Sequence, residues 1–102
     1  MNNVTPESLK KVAEYMGKPS VRILENGEVV YREAYVSWWR EETYNPPQNS
    51  DQDSEIEIKL KPKTRWLKKY NKWSAIIDKE FHAGDTPAEA RLNAVIAYVE
   101  AL

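Results

Sequence analysis

The sequence predicts a single α+β domain built on a sheet of three to four strands, with two to three helices packed on its faces. Three observations carry this. Two segments, one early and one at the C-terminal end, show helical apolar spacing behind a Thr-Pro start. An Asn-Gly pair divides two β-rich runs in the first third of the chain. A Trp-Ser-Ala-Ile-Ile run further on has strand character. With 102 residues there is material for one core and not two.

The first helix is expected over residues 6–16. Thr5 caps it, Pro6 suits the first helical position, and Glu7 sits near the positive end of the dipole. Leu9, Val12, Ala13 and Met16 form one apolar stripe, and Gly17 supplies a left-handed stop. A hairpin follows over residues 20–36. Asn26-Gly27 is expected to form a type I′ turn, because both residues tolerate positive φ. Val36-Ser37-Trp38-Trp39-Arg40 reads either as an extension of the second strand or as a short turn. Residues 43–50 read as loop, with Pro46-Pro47 opposing regular structure and Asn49-Ser50-Asp51 offering helix caps.

Residues 51–61 carry two conflicting patterns. Glu55 to Lys61 alternates polar with apolar, as a half-buried strand does. The pairs Glu55/Lys59 and Glu57/Lys61 have the i, i+4 order that supports a helix. A strand is expected over residues 72–81, then a turn at His82-Ala83-Gly84-Asp85. Thr86-Pro87-Ala88-Glu89 is a capping box that opens a helix over residues 87–101, with Leu92, Val95, Ile96, Val99 and Leu102 on its apolar stripe.

Charge and composition exclude several classes. Lys and Arg total 15 against 16 Asp and Glu, so the net charge of −1 gives no chain-wide attraction to nucleic acid or anionic membrane. No cysteine is present, which removes disulfides, thiolate nucleophiles and sulfur-bound zinc. The N-terminus lacks signal-peptide features, and no apolar run approaches the ~20 residues that span a bilayer. A cytoplasmic location is the expectation, with no membrane partner. Glu41, Glu42, Asp51, Asp53, Glu55 and Glu57 form an acidic block, but without the glycine and terminal glutamate offsets of a calcium loop. No metal and no cofactor are expected. His82 is the single histidine and lacks a nucleophile partner, so no catalytic residue is assigned and the chain reads as a non-enzyme.

Two segments suggest binding. From Lys59 to Lys72 there are seven basic residues and no acidic one, interleaved with Trp66 and Tyr70. Cations attract phosphates and aromatic faces accept bases, so Arg65, Trp66, Lys68, Lys69 and Tyr70 are candidate contacts. The same run also reads as a solvated face, or as one neutralised by the acidic block upstream. Trp38 and Trp39 are adjacent and so face opposite sides of a strand. One of them is exposed for binding, or helices cover both sides. These tryptophans, with an edge strand, also admit a homodimer.

The C-terminal half resembles small phage and prophage proteins of the αβα-sandwich, NinX-like type. The residues that carry the resemblance are Tyr44-Asn45-Pro46, then Gln52, Asp53 and Ile56, then Trp73-Ser74-Ala75, then Gly84 to Ala90. It covers roughly the last 60 residues by motif order. The stretch Lys61-Pro62-Lys63-Thr64 and the basic run after it have no counterpart. The resemblance implies a phage origin, an αβα layered architecture and a helix over residues 51–61, and it transfers no active site. Tyr44, within the aromatic-Asn-Pro motif, joins the candidate contacts. The functional expectation is a non-catalytic phage-type accessory protein in the host cytoplasm. Such a protein acts as a counter-defence factor by binding a host protein or by sequestering a small anionic, nucleotide-like ligand. The alternative is nucleic-acid binding through residues 59–72.

Overall fold

A computed structural model describes residues 4–102. Helix α1 spans Pro6–Tyr15, and the Thr5 hydroxyl accepts the Ser8 backbone N–H at 3.1 Å. Gly17, at φ +86°, ends it as the sequence predicts. Strands β1 (Arg22–Ile23), β2 (Val29–Ala34) and β3 (Trp39–Thr43) form an antiparallel sheet in that order. The β1–β2 turn departs from the expected type I′. Gly27 alone of the Asn-Gly pair has positive φ, and its N–H donates to Leu24 O at 2.9 Å. The chain therefore turns on Glu25-Asn26 and uses Gly27 as the left-handed residue of a bulge, the geometry of a three-residue loop.

The undecided segment after Ala34 is a second hairpin. Tyr35 N–H donates to Trp38 O at 2.7 Å, and Trp39 returns as the first residue of β3, opposite Ala34. The expected loop over residues 43–50 contains one 3₁₀ turn, Pro46–Gln48, so the two prolines start a short helix instead of excluding one.

The conflicted acidic segment is helix α2, Ser50–Leu60. The Asn49 side chain accepts from the N–H groups of both Asp51 and Gln52, and Asp51 and Asp53 lie in the first turn. Capping and dipole override the strand-like alternation. The left-handed Lys61 and then Pro62 stop this helix.

A second antiparallel sheet contains β4 (Lys63–Leu67), β5 (Lys72–Ile77) and β6 (Glu80–Gly84). The strand expected over residues 72–81 is thus split, at a turn where Asp78 takes φ +54°. His82 to Gly84, expected as a turn, belong to β6. Helix α3, Pro87–Glu100, is capped by Thr86, whose hydroxyl accepts from Glu89 N at 3.1 Å.

The protein is an α+β sandwich with three helices. The strands number six in two sheets, where one sheet of three to four was expected. Each sheet turns one face to the helices. Val29 and Tyr31 from the first sheet, Ala75 and Ile77 from the second, and Val12, Ile56, Leu92 and Val95 from the helices share one buried cluster. Gly84 is required by packing, not by a turn: a Cβ there would stand 2.6 Å from Ala90 N, so α3 rests directly on the β6 backbone. The helices are tied by Ser8 to Glu100 at 3.1 Å, Lys18 to Glu55 at 2.8 Å and the Tyr15–Tyr98 edge contact. No helix among the described residues is long and apolar enough to cross a membrane.

Candidate functional site

The β2–β3 hairpin outruns the core. Val29 to Tyr31 are buried, whereas Tyr35 through Glu41 are exposed. At its end Tyr35 is 40% exposed, Trp38 53% and Trp39 54%, and Val36 is fully exposed. Alternation along the strands puts the two tryptophans on opposite faces. Trp38 stacks on Tyr35 with ring centroids 4.1 Å apart and planes 16° from parallel. Trp39 carries the Arg32 guanidinium 3.9 Å over its ring on the other face. Both rings are held by a neighbour yet remain open to solvent, so neither of the sequence alternatives (one exposed, or both covered by helices) describes them. Tyr35 and Arg32 escaped the sequence reading. The signal was there: Tyr35 and Trp38 bracket a two-residue loop, which makes them cross-strand neighbours.

The basic segment starts at the end of α2 with Lys59, passes its cap Lys61, and then forms β4, the four-residue loop Lys68-Lys69-Tyr70-Asn71, and the start of β5. Arg65 is exposed on β4, and Lys68, Lys69 and Tyr70 are exposed in the loop. Trp66 pairs directly with Trp73 across the strands, edge to face at 5.5 Å. The structure therefore brings Arg65, Trp66, Lys68, Lys69 and Tyr70 together on one hairpin. Trp38 and Trp39 lie on the other sheet.

Tyr44, expected as a contact, belongs to neither group. It is 1% exposed, packs edge to face on Tyr31, and lies in the core. Its hydroxyl finds no hydrogen-bond partner among the described residues, and burial pushes its pKa well above the ordinary tyrosine range.

The acidic block pairs away from the basic strip. Glu41 pairs with Arg22, Glu42 with Arg40, Glu55 with Lys18, and Asp53 with Arg91. The last pair is bidentate, with Arg91 Nε donating to Asp53 Oδ1 at 2.9 Å, and it ties α3 to α2. Its hydrogen bond to the carboxylate raises the Arg91 pKa further. Among the described residues Lys72 alone of the strip finds a carboxylate, that of Asp85, and this lysine holds the Asp85 pKa below the usual range.

Two surface hollows of about 240 Å³ each offer no seat for an anion. One is lined by Glu33, Glu42, Asp51 and Glu55 against Lys18 and Arg40, both already paired. The other, near Asn45, Pro47 and Leu92, contains no cation. His82 is half-buried on β6 beside Glu80 at 3.7 Å. Among the described residues no cluster of three or more His, Asp or Glu is placed to hold a metal ion.

Compared with known proteins, the chain matches no family model, no curated protein and no solved structure. The residues behind the NinX-like resemblance serve the scaffold. Tyr44 and Ile56 are core, and Gln52 bridges Asn45 N at 2.7 Å and Thr43 O at 2.8 Å. Asp53 binds Arg91, Gly84 admits α3, and Thr86 caps it.

Proposed function

We propose that this chain is a non-catalytic binding protein that docks a protein partner through the aromatic end of the β2–β3 hairpin. One observation carries the reading: four large apolar side chains, Tyr35, Val36, Trp38 and Trp39, stand exposed on a hairpin end beyond the core. Two rings are pre-ordered, Trp38 by Tyr35 and Trp39 by Arg32, so little side-chain entropy remains to be lost on docking. Exposed tryptophans of this kind act as binding hot spots. Arg32 makes no ion pair among the described residues, which suits an apolar pocket with a carboxylate at its rim. The motif order shared with small phage proteins supports a phage origin, and with it a host protein as the partner. A small anionic ligand is the weaker reading, because the described hollows offer it no unpaired cation.

The test is native mass spectrometry of tagged protein purified gently from its bacterial host, with Trp38→Ala and Trp39→Ala prepared in parallel. The expected result is a host protein at fixed stoichiometry with the wild type, lost in both variants while their circular dichroism is unchanged. Equal occupancy in folded variants, or no partner with the wild type, overturns the proposal.

A further inference from the structure

The basic hairpin is electrostatically unsatisfied. Lys61, Lys63, Arg65, Lys68 and Lys69 make no ion pair among the described residues, and Glu41, Glu42, Asp53 and Glu55 of the acidic block are held by Arg22, Arg40, Arg91 and Lys18. Strand register places Lys63 in a row with Ile76 and Phe81, and Arg65 in a row with Ser74 and Ala83. These rows form the face of the second sheet turned away from the helices, since the neighbouring rows hold Ala75, Ile77 and Gly84, which meet the core and α3. No carboxylate stands in either outer row. Exposed rings flank the cations: Tyr70 in the loop is 64% exposed, and Phe81 at the far strand is 50% exposed. Lys63 and Phe81 lie two strand spacings apart, about 10 Å.

We infer that this outer sheet face, exposed at Lys63, Arg65 and Phe81 although its central Ser74 is buried, binds single-stranded nucleic acid together with its β4–β5 loop. Phosphates meet Lys63, Arg65, Lys68 and Lys69, and unstacked bases lie on Tyr70 and Phe81. The surface is a three-stranded sheet face with a short loop and offers no helix to enter a major groove, while its rings require bases free of a duplex stack. The net charge of −1 is offset locally, because Glu41, Glu42, Asp53 and Glu55 of the acidic block pair with cations outside the strip. The inference uses no residue of the β2–β3 hairpin end and stands apart from the proposed protein contact.

Fluorescence anisotropy with a labelled 12-nucleotide single strand, DNA or RNA, tests it on the full chain. Binding is expected at low salt, with log K falling against log salt by about 0.7 per neutralised phosphate, a slope of about −3 for four contacts. Lys68→Glu combined with Lys69→Glu should weaken binding at least about tenfold and flatten the slope. Tyr70→Ala should weaken it about tenfold while leaving the slope unchanged. Trp38→Ala should have no effect, which separates this surface from the protein-docking one. The inference is overturned by the absence of an anisotropy change at low salt, by equal binding in the folded charge-reversal variant, or by equal affinity for a duplex of the same length.

Discussion

Removing the Arg91 guanidinium should cost more stability than any surface change in this chain. Arg91 on α3 grips Asp53 on α2 with two hydrogen bonds and reaches Thr64 on β4 at 3.4 Å. The two charged side chains are only 12% and 11% exposed. In Arg91→Ala the Asp53 carboxylate stays in place without its partner, and breaking a buried pair in this way costs about 3–5 kcal/mol. Asp53 lies in the first turn of α2, where the helix dipole returns about 0.3–1 kcal/mol, so the lower end is expected. A loss near 3 kcal/mol lowers Tm by about 12–24 °C in a domain of this size. Urea and thermal unfolding followed by circular dichroism measure it, within a cycle that includes Asp53→Ala and the double variant. A coupling of at least about 1.5 kcal/mol is expected, since the two groups act as one contact. An Arg91→Ala loss under about 1 kcal/mol, or a near-additive cycle, would refute the claim that this pair locks α2 to α3.

Three further outcomes follow from the core. Gly84→Ala should destabilise by at least about 2 kcal/mol in urea unfolding, because the new Cβ meets backbone atoms of α3, Ala90 N at 2.6 Å and Glu89 C at 2.9 Å, with no flexible side chain to yield. An unchanged midpoint would show that α3 can lift at no cost. Tyr44→Phe should raise stability by about 1 kcal/mol, since it removes a buried hydroxyl without a partner. The same residue sets an alkaline limit. Its folded pKa is raised, so the unfolded chain loses this proton first, and stability is full below the ordinary tyrosine value of 10.0 and declines as pH rises past it. Urea midpoints taken at neutral and at strongly alkaline pH should fall less in Tyr44→Phe than in the wild type. Equal falls would place the alkaline sensitivity elsewhere.

Local signals sufficed where the chain makes its own caps. Thr5-Pro6 and Thr86-Pro87 start helices because the hydroxyl, the missing N–H and the fixed φ act within one turn, and both helices begin at those prolines. The exposure of Trp38 and Trp39 was half legible: adjacency put them on opposite faces, but the length by which the hairpin outruns the core appears in no local pattern. Strand β4 was missed because its cations were read as a solvated charge run, although Thr64 and Trp66 alternate with Lys63, Arg65 and Leu67. The aromatic-Asn-Pro motif suggested a contact at Tyr44, and only packing against Tyr31 shows that it is core.

By itself, the sequence determined the α+β class, the starts of the first and last helices, the lack of thiol chemistry and the concentration of cations in one segment of the chain, since these depend on residues close together along it. The tertiary structure decided how charges pair across it. Which of Arg22, Arg40, Arg91 or the basic strip neutralises the acidic block is a question of distance in space, and Coulomb attraction at contact range follows the fold and not the order of residues. That choice leaves Lys63, Arg65, Lys68 and Lys69 without an ion pair among the described residues.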